Sequence, residues 1–229
     1  MFCTRGERSR ARGANPGRME LGTIARLWRY PVKSLRAEPV ARAAVEADGL
    51  HGDRTAALIV ETPSHARAGK PYRGKESRYL HLTSDPETAA SYAADAHVLV
   101  TLDRERPRYF DAGDVSVLFD LWVRDAEALV GEELDPQRWR PNLYVTAAPG
   151  FAKREPELVG TTLRAGAVVL RVSDTIKRCV TTTYDVATGE PFALVLEAVA
   201  TERANVVGVY CEVVTPGELA VGDALVAVS

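Results

Sequence analysis

The chain has 229 residues, 46% hydrophobic content, a formal net charge of −2 and three cysteines. That much apolar sequence can bury one large core or two interlocked ones, while the near-balanced charge gives no argument for a nucleic acid or an anionic membrane as partner. Cys3, Cys179 and Cys211 are widely separated and odd in number, which excludes a disulfide framework or a metal cluster and fits a reducing, cytoplasmic setting.

In chain order, the first eighteen residues are rich in Arg and Gly and show no strand or helix periodicity, so a disordered leader is expected. It lacks the apolar run of a secretory signal; an Arg-rich organellar transit peptide and an upstream extension with Met19 as the effective start both stay open. No continuous apolar stretch is long enough to span a bilayer.

From Gly22 onward, short β-prone runs alternate with Gly, Pro and Asp punctuation, as in barrels and sandwiches. The expected strands are Thr23 to Arg29, Val40 to Val45, Thr55 to Val60, Val98 to Leu102, Val115 to Phe119, Leu143 to Thr146, Val168 to Val172, Val206 to Val214 and Ala224 to Val228. Two segments read as helix: Trp122 to Val130, with Gly131 as its stop, and the stretch in which Phe192, Val195, Leu196, Val199 and Ala200 recur at helical spacing. The fold class is therefore mostly β with a few helices. The basic, unpatterned stretch Ser64 to Ser77 reads as a mobile loop, either solvated surface or a cover for an anionic ligand. Leu163 to Val169 and Leu219 to Leu225 repeat a Leu-x-x-Gly step before an apolar run, which suggests two similar glycine corners.

Cys179 lies in Lys177-Arg178-Cys179-Val180-Thr181-Thr182-Thr183-Tyr184-Asp185, followed by the turn-like Thr188-Gly189-Glu190-Pro191. A thiolate is a strong nucleophile and a soft metal ligand, and cationic neighbours favour the charged form of a thiol. Against this stands the ordinary fate of a free cysteine as a small buried hydrophobe. Three further segments share a theme with it. Tyr30-Pro31-Val32-Lys33-Ser34 offers an ammonium and a hydroxyl, Gly52-Asp53-Arg54 a guanidinium, and Arg138-Trp139-Arg140-Pro141-Asn142 further guanidinium groups beside an amide. All are donors suited to an oxyanion, although each alone is more often a surface ion pair or a turn.

Together and in this order, Tyr30-Pro31-Val32-Lys33-Ser34, Gly52-Asp53-Arg54, Arg140-Pro141-Asn142 and Arg178-Cys179 resemble the signature of the MOSC family with its N-terminal β-barrel extension. That family includes the mitochondrial amidoxime reducing component and its bacterial relatives. The resemblance runs from Leu21 to the C-terminus and implies a leader (1–20), an N-terminal β-barrel-like domain (21–102) and a MOSC β-barrel domain (103–229). It also implies a molybdenum cofactor, with Cys179 bound to the metal and the molybdopterin phosphate held by Lys33, Ser34 and Arg54. Arg140, Asn142, Arg178 and Thr181 are the next candidates for the pterin or the oxo groups. Asp185 either orients an arginine or a substrate, or caps a turn.

The activity implied is reduction of a small N-hydroxylated or N-oxide compound. Since no flavin, nicotinamide or iron-sulfur motif is visible, electrons would come from a separate redox protein. Two features depart from the family's best-known reductases: Ala112 and Gly113 stand where hydroxyl side chains are expected, and few residues are left for a substrate lid. A second class is kept for that reason, a sulfur carrier or sulfurtransferase with a persulfide on Cys179, working with a pyridoxal-phosphate desulfurase. A third is a binding module without turnover. His51, His65, His81 and His97 have no metal-ligand spacing and receive no role, and nothing in the sequence sets an oligomeric state.

Overall fold

The computed structural model describes residues 18–110 and 112–228. In chain order the elements are β1 (Arg18–Arg29), β2 (Glu38–Val40), β3 (Arg42–Glu46), β4 (Gly49–Leu50), β5 (Ala57–Val60), α1 (Pro86–Asp95), β6 (Val100–Asp103), β7 (Val115–Phe119), α2 (Asp120–Val130), β8 (Leu143–Ala147), β9 (Thr162–Ala165), β10 (Val168–Lys177), α3 (Leu194–Glu202), β11 (Val206–Thr215), β12 (Gly217–Ala220) and β13 (Ala224–Val228). Short 3-10 turns at Leu80–Leu82, Pro136–Trp139, Glu155–Leu158 and Val180–Thr183 interrupt the connections.

Seven strands close into a barrel in the order β1, β13, β9, β10, β11, β7, β8, with β8 returning to β1; β2 adds to the far end of β1. Neighbours in the barrel are antiparallel except β7 and β8. Parallel neighbours need a crossover, and α2 supplies it. All five residues of β7, Val-Ser-Val-Leu-Phe, are buried, as expected for a strand covered on both faces. Gly131, at φ +75°, ends α2 and donates its N–H to the Glu127 carbonyl at 2.8 Å.

β1 serves three neighbours in turn: β13 at its start, β8 in its middle and β2 at its end. Register slips between Glu20 and Gly22 and between Ile24 and Arg26 bend it to do so. A Cβ at residue 22 would lie 2.2 Å from the Thr146 carbonyl oxygen, so only glycine lets the two backbones meet there.

The repeated Leu-x-x-Gly steps are matching corners, one between β9 and β10 and one between β12 and β13, and their strands pair directly, Leu225 facing Ala165. Outside the barrel, β12, β3 and β4 form a small sheet, while β5 and β6 pair with each other. A second core of Val32, Leu58, Val60, Tyr72, Leu80 and Ala89, among others, packs this N-terminal part against α1. Strand pairing crosses the expected 102/103 division twice: β1 is a stave of the seven-stranded barrel, and β12 pairs with β3.

Four expectations are corrected. Most of the leader, with Cys3, lies outside the described residues, but residues 18 to 20 belong to β1 because pairing with β13 orders them. The run Val40 to Val45 is two strands, β2 on the barrel and β3 on the small sheet. Helix α1 was not expected. It buries only Ala89 and Ala93, so no stripe of large apolar residues marks it, and its real signal is the Asp85 cap on Thr88 N–H at 2.8 Å followed by Pro86. The Ser64 to Ser77 segment is anchored, since Ala68 and Pro71 form bridges to Val60 and Ile59 of β5.

Candidate functional site

Strand β10 ends at Lys177, and Cys179 opens the 3-10 turn Val180–Thr183 in an extended conformation. The residue between them is tied down from every side. The Arg178 N–H donates to Asn205 O at 3.0 Å, its carbonyl accepts from Asn205 Nδ2 at 2.8 Å, and its guanidinium donates to Trp139 O at 2.7 Å and to Val207 O. It lies 5.6 Å from the Trp139 ring centroid. A Cβ at residue 208 would approach Arg178 Nη2 to 2.9 Å, so Gly208 is what admits the guanidinium. Burial lowers the Arg178 pKa to about 10, since its partners are mostly uncharged carbonyls.

Cys179 itself is exposed, with Sγ 3.1 Å from Thr181 Oγ1. Cys211, in contrast, is fully buried, and burial pushes its thiol far up. An inert core cysteine and an accessible one thus share the chain.

The sulfur opens into a cavity of about 310 Å3. Its walls carry seven of the eight residues expected from the sequence: Cys179, Lys33, Ser34, Arg54, Arg140, Arg178 and Thr181. These come from four separate stretches of chain brought together by the barrel end and the loops over it. Among the described residues no Asp or Glu lines the cavity, although the protein as a whole is slightly acidic. The local charge is therefore strongly positive, a preorganised field for an anion.

Tyr30 organises two of the guanidinium groups. It is buried, with Arg140 at 4.4 Å and Arg54 at 4.8 Å from its ring centroid, and its hydroxyl donates to Pro141 O at 3.2 Å. Burial raises its pKa to about 12, so the phenol stays neutral. Asp53, fully buried, accepts the Tyr30 N–H at 2.7 Å and pairs with Arg54. Burial works against the Arg54 charge, but the Asp53 carboxylate more than offsets it and holds that pKa above the ordinary value.

Backbone strain gathers at the same place. Of the six described non-glycine residues with positive φ, three are Ser34, Arg54 and Arg140, and a fourth, Asn205, clamps Arg178. Side chains other than glycine rarely adopt this conformation, and it persists only where the surroundings over-determine it.

Asn142 is placed elsewhere. It is 1% exposed and is absent from the cavity wall. Its Oδ1 accepts from Ser116 N at 3.1 Å and Ser116 Oγ at 2.9 Å, and its Nδ2 donates to Trp28 O at 3.2 Å. The amide braces β7 against β1 behind the arginines, and its neighbour Ser116 reaches the cavity instead. Ser116 thus brings a hydroxyl from the segment where Ala112 and Gly113 lack one. Gly113, at φ +45°, is needed there because a Cβ would lie 2.5 Å from Tyr210, another wall residue.

Asp185 performs both roles left open for it. One carboxylate oxygen accepts from Arg138 at 3.0 Å, and the other caps the turn through Ala187 N at 3.0 Å and Thr188 N at 2.9 Å.

Sequence reasoning missed several wall residues. Arg73, Gly74 and Lys75 come from the Ser64 to Ser77 loop, and a Cβ at residue 74 would sit 3.1 Å from Thr181 Cγ2 and 4.0 Å from Ser34 Cβ. The loop therefore crosses the cavity between the Lys33-Ser34 corner and the sulfur-bearing turn. His81, assigned no role, also lines the wall and stacks on Tyr184, centroids 5.5 Å apart and planes 4° from parallel. Burial, with Arg140 and Arg138 nearby, lowers its pKa to about 4. The only sequence signal for Arg73, Gly74 and Lys75 was the basic character of that loop.

Two buried donors on wall residues, Trp139 Nε1 and Arg138 Nε, have no hydrogen-bond partner among the described residues. Such groups are costly to bury unpaired. With one soft sulfur, a cationic and hydroxyl-lined corner and spare donors, the residues fit a phosphorylated, metal-bearing ligand. Among the described residues no cluster of three His, Cys, Asp or Glu side chains could hold a metal by itself. No described helix is long and apolar enough to cross a membrane.

The MOSC domain model matches residues 115–226 and the MOSC N-terminal beta barrel domain model matches residues 21–70. Among solved structures, the YUAD protein from Bacillus subtilis is 15% identical, with 93% of this chain and 98% of that chain covered at a TM-score of 0.57, which shows a shared fold. YiiM from Escherichia coli is 13% identical over 92% of this chain and 70% of that one, at a TM-score of 0.47. No curated protein matches. The two matched segments take in Lys33, Ser34, Arg54, Arg140 and Cys179 alike, and the chain belongs to the MOSC family, with the N-terminal β-barrel domain that accompanies it in some members.

Proposed function

We propose that this protein binds a molybdenum cofactor and reduces N-hydroxylated or N-oxide compounds with electrons from a separate donor protein. The observation that carries the reading is the convergence of Lys33, Ser34 and Arg54 with Cys179 on one cavity whose described wall residues include no carboxylate. An isolated reactive thiol has no use for an anion-binding corner in its pocket.

In this reading Lys33 and Ser34 donate hydrogen bonds to the molybdopterin phosphate, and Arg54, held by Asp53, forks onto its oxygens. Arg140, held over Tyr30, adds charge beside them. Cys179 Sγ is the metal ligand, and the Thr181 hydroxyl at 3.1 Å orients the sulfur. Arg178 is a positioning residue, because its donors go to the carbonyls of Trp139 and Val207 and so fix the turn that presents the thiol. The bound group supplies two-electron chemistry, in which the substrate oxygen leaves as water for two electrons and two protons taken up.

The exposure of Cys179 favours a second reading, a sulfur carrier with a persulfide on this residue, with or without a pyridoxal-phosphate desulfurase as partner. It leaves Lys33, Ser34 and Arg54 without a task. Molybdenum analysis and fluorescent pterin oxidation products on purified protein separate the two. Cys179→Ala is expected to lose bound metal by at least roughly tenfold, while its stability changes by no more than about 0.5 kcal/mol, since the side chain is exposed. Full metal content in that variant would overturn the ligand assignment, and a metal-free wild type releasing sulfur on reduction would favour the persulfide.

A further inference from the structure

The cavity carries more positive charge than the corner described above employs, and the excess sits at the mouth. Lys177 is exposed at the end of β10, two residues before Cys179. Lys75 is exposed in the loop that crosses the cavity. Both line the cavity, and neither makes an ion pair among the described residues. Lys33, by contrast, is 9% exposed and the Arg54 side chain 17%, so the charged groups divide into a buried inner set and a solvent-facing outer set.

The turn that carries Lys75 is held in place. Arg73 and Glu76 close the turn around Lys75: Arg73 N donates to Glu76 Oε2 at 2.7 Å, Arg73 Nη2 meets Glu76 Oε1 at 2.6 Å, and Glu76 N donates to Arg73 O at 2.9 Å. Gly74 then seats against Thr181, beside the sulfur-bearing turn. Two lysines lining one cavity gain from an anion placed between them, and the braced turn fixes where the backbone of Lys75 lies. A ligand buried deep in the cavity would draw on the inner set; the outer set faces whatever enters from solvent. Tyr184 and Val186 add a flat, apolar stretch of wall.

We propose that the mouth of the cavity selects small planar N-hydroxylated substrates carrying a second, negatively charged group, which Lys75 and Lys177 hold while the N–O bond faces Cys179. This specificity rests on the reductase reading above. It names the chemistry of the substrate, a carboxylate or phosphate on an aromatic N-hydroxy compound, which the inner residues leave open.

The test compares benzamidoxime with 4-carboxybenzamidoxime, bound by calorimetric titration to the protein as purified, without an electron donor so that nothing turns over. Wild type is expected to bind the carboxylated compound roughly tenfold more tightly at about 0.05 M salt, and the advantage should shrink as salt shortens the Debye length. In the double variant Lys75→Gln/Lys177→Gln, whose altered residues are exposed, the preference should fall below about threefold with molybdenum and pterin content unchanged. Equal affinities in wild type, or a preference that survives the double substitution, would overturn the proposal. The two readings fail separately: metal-loaded protein without a charge preference removes the mouth subsite alone, whereas a lysine-dependent preference in protein devoid of molybdenum and pterin removes the reductase reading.

Discussion

Asn142→Ala separates a residue that braces the site from one that touches the ligand. The amide makes three hydrogen bonds inside the protein, two with Ser116 and one with the Trp28 carbonyl, at 1% exposure. At about 1 kcal/mol net for each, their loss amounts to about 3 kcal/mol, with the buried Ser116 N–H left unpaired. For a chain of this size that lowers the melting temperature by roughly 6–12 °C. The contact to Arg54, at 3.5 Å, lies at the limit of a hydrogen bond and adds little. Urea denaturation should show a lower midpoint with an unchanged slope. Metal analysis at a temperature where the variant is fully folded should show content close to wild type. A variant within about 0.5 kcal/mol of wild type that nonetheless loses its metal would refute this reasoning and return Asn142 to the ligand contacts.

Two further outcomes follow from buried charge. His81 has a folded-state pKa of about 4 against the ordinary 6.5 of a free imidazole, so at low pH the unfolded chain takes up a proton that the folded state refuses. Its neutral form is at no disadvantage above pH 6.5, and stability is lost as pH falls from there to about 4, by up to about 3 kcal/mol. His81→Phe, which keeps a ring on Tyr184, should flatten the stability profile across that window; an unchanged profile would show that other groups govern it. Arg203 and Glu155, each with 3% side-chain exposure, pair at 2.7 Å, and Glu155 also accepts the Gly208 N–H at 3.2 Å. Arg203→Ala leaves that carboxylate buried without its partner and should cost about 3–5 kcal/mol in chemical denaturation, while Arg203→Met with Glu155→Leu should recover most of the loss.

Much of the architecture was legible before any coordinates. The apolar runs of β7 and β13 and the Gly131 stop of α2 are local facts, set by side-chain periodicity and by glycine's access to positive φ. The same holds for Lys33, Ser34, Arg54, Arg140 and Cys179, whose donor chemistry is a property of residue type. Their meeting on one wall is not, because four stretches separated by many residues are joined only when β1 closes the barrel between β13 and β8. Tertiary structure alone decided that Asn142 turns inward to Ser116, that Tyr30 carries Arg54 and Arg140 on its faces, and that an unpatterned loop brings Lys75 to the mouth. A sequence records what each side chain can donate or accept. Which partner satisfies it depends on long-range backbone packing, and burial then sets whether a given polar group holds the fold together or faces a ligand.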